Sequence, residues 1–434
     1  MKKLALILGL ATLIVFGASA ADKTTLKFYY YADATQAGYA EEMAYFDKFK
    51  AQNPDIDLQM EISTNQPYHE KLSAYISAGQ IPDVFYLWPT SRDSSALIQD
   101  KKLAKDLSTV LPKDLLSKFS PLALNVNNQS SKQLSELPQS FTYTTTVYAN
   151  TGLLKSMGLK VPSTYAEMKA LVPKLKAKGI QTLLLPNADK WPAQSCLFST
   201  ISGRFLGDEF IDAVKAGNAK FTDKAFVDTL AFFQQMYTDG VLDKSNITMG
   251  YGDGPGVFAS GKAAFFVDGD WRVAAYLTDK TTGKALIAPA VQKTDFDLIN
   301  LPALPGEKNK GSVSAIAGTG LGINKDLTGA KLAAAVKLLS FYYGKEMQTL
   351  KWETGAYVPN RTDITTNKLE PLAVKLPLYY KTVAKTTYVL DGSLDPSVFN
   401  ILNDGLQALG LGAKTPAAIA AEMQAAQDAL AKKM

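Results

Sequence analysis

Ile56, Leu58, Met60 and Ile62 alternate strictly with polar residues, which predicts a half-buried strand. Leu26 to Tyr31 is a continuous β-prone run and predicts the first strand. Pro82 to Pro89 predicts a third, ending at Trp88. Between them the period changes. Met43, Phe46 and Phe49 share one helical face, and Asn53-Pro54 ends that helix. Tyr68, Leu72, Tyr75 and Ile76 make a second apolar stripe, closed by Gly79. Strands alternating with helices in this way predict an α/β protein with a parallel sheet.

The alternation continues. Thr144 to Tyr148 is β-branched and strand-like. Thr164 and Glu167 form a capping box that opens a helix ending near Gly179. Leu183 to Pro186 predicts a buried strand, followed by a loop from Asn187 to Trp191. Phe226, Leu230, Phe233 and Tyr237 mark a core helix face. A short helix stops at Ser260-Gly261, Ala263 to Val267 has strand length, and Leu298 to Pro305 reads as a Pro-rich strand and turn. Helices then follow around Leu332, Val336 and Leu339, from Glu346 to Gly355, and from Pro396 to Leu409. Thr415 caps a last helix, with Pro416 at its first position.

The N-terminus changes the picture. Met1-Lys2-Lys3, an apolar run from Leu4 to Phe16 and the small residues up to Ala20 have the form of a secretory signal peptide. The expected segments are therefore a signal peptide at 1–20 and a secreted, periplasmic chain of 414 residues. No cysteine directly follows the cleavage site to carry a lipid. That length suggests two domains. The net charge of +5 falls to +3 without Lys2 and Lys3, too mild to argue for nucleic acid or anionic lipid. Cys196 and His69 are the only residues of their kinds, which excludes a disulfide and a multi-histidine metal site.

The chemistry concentrates at residues 259–272, where Asp268-Gly269-Asp270-Trp271-Arg272 follows a strand. In α/β proteins ligands sit beyond the carboxyl ends of strands. An indole beside carboxylates suits a sugar, whose C–H face can lie on the ring while its hydroxyls are hydrogen-bonded. Two roles stay open for Trp271: that platform, or a large residue capping the core. Two other chemistries are also open. Asp268 and Asp270 could be a glycosidase pair, which requires carboxyls roughly 5 to 9.5 Å apart. Tyr29-Tyr30-Tyr31, Tyr342-Tyr343 and Tyr379-Tyr380 are phenols of the kind that bind iron(III), although successive strand residues face opposite ways. Gly318 to Ile323 reads G-x-G-x-G-I; its spacing is not that of a phosphate loop, and no helix opens on it.

FASGKAAFFVDGDW resembles the F-x-x-G-K-A-A-M-x-x-x-G-x-W stretch of the extracellular solute-binding protein family 1, the sugar receptors of bacterial ABC importers. FDKFKAQNPDIDLQMEI, YHEKLSAYISAGQIPDVFYLW, LPQSFTYTTTVYAN, LINLPALPGEK and GAYVPNR are similar to further blocks of that family, in its order, with Ala149 between the usually adjacent Tyr and Asn. The resemblance implies a two-lobe periplasmic binding protein fold, type II-like, with a hinge between lobes and ligand in the cleft. The lobes would be 21–140 with 305–357 and 141–304 with 358–434. It implies a carbohydrate ligand, permease subunits as partners, a monomer, no cofactor, no metal and no catalysis. The residues expected at the ligand are Trp271 and Asp270, Trp88 at a strand end, Trp191 in a Trp-Pro loop, and Tyr143 near the hinge. Asp33 and Gln66 follow first-lobe strands, Arg361 lies on the third crossing, and Phe399 stands where some relatives carry an aromatic.

Overall fold

A computed structural model describes residues 23–34, 38–88, 93–121, 123–126, 131–279 and 282–432. The signal-peptide reading lies outside the described residues. Among the described residues, eleven strands form three sheets. The first sheet has the order β2-β1-β3-β10, from Ile56–Ser63, Thr24–Tyr31, Val84–Leu87 and Gly320–Ile323. β1 runs parallel to both β2 and β3, in a register that pairs Thr24 with Ile56 and Tyr31 with Ser63. The fourth strand, β10, is antiparallel. The second sheet, β6-β7-β5-β8, joins Gln181–Leu184, Ala263–Asp268, Thr146–Asn150 and Phe296–Ile299. β6 and β7 are parallel, while β5 opposes both its neighbours. The third sheet is small: β11-β9-β4, from Lys385–Thr387, Ser312–Ala317 and Phe141–Tyr143.

The expected parallel sheet is thus only partly parallel. Strands that re-enter a sheet from a distant part of the chain, such as β10, pair antiparallel at its edge. The run Thr144 to Tyr148 is not one strand. It breaks between β4 and β5, where Thr144 turns its hydroxyl to Ser195 O at 2.9 Å and its N–H to Ser314 O at 2.9 Å. The Pro-rich stretch after Ile299 is loop, as expected of residues that offer no ladder N–H.

Two large apolar cores result. One gathers Phe28, Tyr30, Phe46, Leu72, Phe85, Leu338 and Tyr342 around the first sheet. The other gathers Val147, Leu171, Leu183, Phe198, Phe233, Phe265, Leu402 and Met423 around one face of the second sheet. Tyr148, Phe258, Phe266, Tyr276 and Leu376 cover its other face. The helix from Lys224–Thr238 buries Phe226, Leu230, Phe233 and Tyr237, as its spacing requires. The capping box is displaced by one residue. Thr164 Oγ1 accepts from Glu167 N at 3.2 Å, while the Glu167 carboxylate reaches Ser163 N at 2.7 Å.

The glycine-rich run is explained by packing. A Cβ on Gly320 would collide with the carbonyl of Leu137, one on Gly318 with Ser140, and one on Gly322 with Phe85 and Ser135. These glycines let β10 lie directly against the segment that leads into β4.

That contact is part of a polar node. Gln139 Nε2 donates to Tyr86 Oη and Thr319 Oγ1, each at 3.0 Å, and its Oε1 accepts from Tyr342 at 2.6 Å and Tyr357 at 2.8 Å. All four hydrogen-bonding positions of a buried amide are filled. Asn360 N donates to Gln139 O at 2.8 Å, and Gly318 N to Ser140 O at 2.8 Å. Segments around residues 139, 319 and 357 are therefore tied at one side chain.

Candidate functional site

β6 and β7 run parallel, and beyond their carboxyl ends lie Trp191 and Trp271. Tyr251 joins them from a glycine-rich loop. The Trp191 ring centre lies 4.6 Å from that of Tyr251, at 60°, and 6.3 Å from that of Trp271, at 43°. Trp271 Nε1 donates to Tyr251 Oη at 2.6 Å, and Tyr251 Oη donates to Asp268 Oδ1 at 3.0 Å. Arg272 lies over the Tyr251 ring at 4.1 Å, and its Nε donates to Asp268 Oδ2 at 2.6 Å. Asp268 also accepts Gly269 N at 2.8 Å. The three aromatics keep part of their surface open, whereas Asp268 and Asp270 are buried.

Below this wall the helix that starts at Trp191 passes through one π-helical turn, Gln194–Phe198. The turn sets the Cys196 thiol 3.5 Å from Asp268. Burial, and then the neighbouring carboxylate, push that thiol well above its ordinary value, so it is an inert packing group. Burial works against the Arg272 charge, but Asp268 overrides it and the guanidinium is held charged.

Asp270 points the other way. Its Oδ2 accepts Tyr143 N at 2.9 Å and the Tyr380 hydroxyl at 2.6 Å, and the rings of Tyr143 and Tyr380 stack at 4.3 Å. Desolvation raises this carboxyl from 3.8 to about 7, against the lowering effect of those donors. Both donors converge on this one oxygen. Asp270 thus fastens β4 to the end of β7 rather than presenting a free carboxylate.

A second aromatic group stands at the carboxyl ends of β1 and β3. Trp88 meets Tyr31 at 5.0 Å and 89°, His69 at 4.5 Å, and Tyr86 at 5.1 Å. Its backbone is pinned by Ser95 and Gln99. Asp33 is partly exposed in the turn after β1. Gln66 falls in the helix Asn65–Ser77, with its side chain outside the described residues. The expected residues thus form two groups: Trp191, Trp271, Asp270 and Tyr143 on one side, Trp88 and Asp33 on the other. The Gln139 node links them through Tyr86 and the short β4.

Three expectations are corrected. Asp270, expected at the ligand, accepts from Tyr143 and Tyr380 instead. Phe399 is 4% exposed and packs inside the second core with Val398 and Leu402, so its ring is interior packing, out of reach of a ligand. Arg361 is drawn onto Asp363 at 2.6 Å and the carbonyl of Tyr343 at 2.8 Å, and its backbone bridges to Phe119. It anchors the crossing. Sequence reasoning missed Tyr251, Tyr380 as the partner of Asp270, and Gln139. A tyrosine inside the glycine-rich MGYGDGPG was a visible signal for the first. The others had none, since each acts on a residue more than a hundred positions away or on several segments at once.

Among the described residues no helix is long and apolar enough to cross a membrane. The sequence profile described as bacterial extracellular solute-binding protein matches residues 32–349. The multiple sugar-binding protein of Streptococcus mutans is 24% identical over 277 residues, covering 62% of this chain and 60% of that protein. The chain therefore spans about 60% of the length of this relative. A chitin oligosaccharide binding protein superposes with a TM-score of 0.80 at 19% identity, covering 95% of this chain and all of that one. The maltose/maltodextrin-binding domain from Bdellovibrio bacteriovorus, bound to maltotriose, gives 0.72 at 19% identity, over 94% of this chain and 100% of its own. The fold is the two-lobe α/β fold of these proteins.

Proposed function

This chain belongs to the bacterial extracellular solute-binding proteins, and we propose that it captures a mono- or oligosaccharide between two lobes and delivers it to the permease of an ABC importer. The observation that carries the reading is the open aromatic wall of Trp191, Tyr251 and Trp271 beyond β6 and β7, backed by the Asp268–Arg272 pair. Flat rings at that place suit the C–H faces of pyranose rings. The names of the relatives, a multiple sugar-binding protein and receptors of chitin oligosaccharide and maltotriose, support the same ligand class.

The lobes are 21–140 with 305–357 and 141–304 with 358–434. They close on ligand as a hinge, and the Gln139 node lies among the crossings. The chain is exported with cleavage after Ala20 and works as a periplasmic monomer without cofactor. It binds and does not hydrolyse. Asp268 is 1% exposed and Asp270 3%, and both are already committed to protein donors, unlike an acid and base flanking a scissile bond. Iron is disfavoured because burial raises Tyr30, Tyr342 and Tyr380 well above the ordinary phenol value, which opposes the phenolate that iron needs.

Titration of the mature protein with a panel of mono- and oligosaccharides, followed by tryptophan fluorescence, tests the reading. A saturable change with one sugar class, at a dissociation constant near ~1 μM or about −8 kcal/mol, is expected. No response to any sugar would overturn it.

A further inference from the structure

We infer that Gly269 and Tyr251 are positioning residues that set the pose of the Trp271 indole before a ligand arrives; this rests on the reading of Trp271 as a sugar platform. The first observation concerns glycine. Gly269 has φ −75° and ψ 167°, a backbone open to any L-residue, so its conformation does not require glycine. What requires it is the ring two positions on. A Cβ on residue 269 would fall inside the benzo ring of Trp271, against Cε3, Cζ3 and Cη2. The indole therefore folds back onto the bare Cα of Gly269. The Gly269 carbonyl is itself held by the Tyr148 hydroxyl at 2.8 Å, so this support does not drift.

The second observation fixes the other end of the ring. Trp271 Nε1 donates to Tyr251 Oη, whose own proton goes to Asp268. Tyr251 in turn lies between the Arg272 guanidinium at 4.1 Å and the Trp191 ring at 4.6 Å, and its N–H is held by Asp189 at 2.9 Å. Backbone beneath and an engaged N–H leave the indole with its remaining ring surface alone. It can stack on an apolar sugar face and cannot donate a hydrogen bond, so ligand hydroxyls are read by other groups. A ring that is already in place loses no rotamer freedom on binding.

The test compares Gly269→Ala, Tyr251→Phe and Trp271→Ala, alone and as double variants with Trp271→Ala. Two readouts are used: dissociation constants for the sugar found in the panel, and 19F spectra of protein labelled with 5-fluorotryptophan. The chain has four tryptophans, and Trp271→Ala identifies the relevant resonance by its loss. Tyr251→Phe keeps the ring beside Arg272 and Trp191 and removes the hydroxyl, which is both the acceptor of the Trp271 N–H and a donor to Asp268; Asp268 keeps Arg272 and Gly269 N. We expect each single variant to move the Trp271 resonance and to weaken binding about tenfold or more, the scale of one lost hydrogen bond or contact. Both losses should vanish in the Trp271→Ala background, because the added methyl at 269 and the lost hydroxyl at 251 act on binding through the indole, the Tyr251 ring being kept. Losses of undiminished size in that background would overturn the inference, as would an unmoved resonance in both single variants. A wild-type protein that binds no sugar would sink the carbohydrate reading, whereas a resonance displaced by both substitutions would still support the preset pose.

Discussion

Asp270 Oδ2 accepts the backbone N–H of Tyr143 at 2.9 Å, joining residues 127 positions apart: the last residue of β4 in one sheet and the residue two beyond β7 in another. Tyr380 completes the clasp at 2.6 Å. Burial drives the carboxyl from 3.8 to about 7, so the folded protein holds this proton where the unfolded chain has released it. The contribution is fully present below about pH 4 and is lost as the pH rises through about 7, a swing on the order of 4 kcal/mol at most. Asp270→Asn offers one oxygen to the same donors and does not titrate. Its stability relative to wild type should therefore improve as pH rises from 4 to 8, measured by urea unfolding across that range; parallel pH curves for the two proteins would refute this.

Trp271→Ala removes the ring proposed as the sugar platform. Affinity for the sugar should fall by about 2 kcal/mol or more, roughly thirtyfold. Because the indole is partly open, the thermal midpoint should move little. Calorimetric titration beside a melting curve separates the two effects.

Phe399→Ala should do the reverse. The ring fills interior space beside Val398 and Leu402, so its removal should cost about 4 kcal/mol of stability. Sugar affinity of the folded fraction should stay unchanged. A loss of affinity without loss of stability would return Phe399 to the cleft.

Gln139→Leu leaves Tyr86, Thr319, Tyr342 and Tyr357 without their shared amide. About 3 kcal/mol of stability should be lost, since buried hydroxyls then go short of partners. Small-angle scattering should also show a wider spread between the sugar-free and sugar-bound radius of gyration than in wild type, if this amide restrains the hinge. Identical scattering changes would confine Gln139 to a stabilising role.

Much of the fold is legible in the residues. A continuous β-prone run marks β1, period-two alternation marks β2 and period-three-to-four spacing marks the helix Lys224–Thr238, because burial is largely a local property of the sequence. Gly269-Asp270-Trp271 stands out for the same reason: a strand ends and an aromatic follows. The functions of those three residues are not local. Asp270 reads as a ligand group until Tyr143 and Tyr380 come in from elsewhere and occupy it. The glycines of β10 read as a loop motif until the carbonyl of Leu137 is found against them.

The sequence by itself determined the α/β fold class, most strands of the two larger sheets, most helices, and a tryptophan beyond a strand end, since each follows from short-range periodicity and composition. Only the tertiary structure decided which aromatic faces stay open, which carboxylates are already taken, and that Phe399 is interior. Those depend on which distant residues arrive at hydrogen-bonding or van der Waals distance, and distance in space between remote segments is set by packing of the whole chain rather than by any pattern along it.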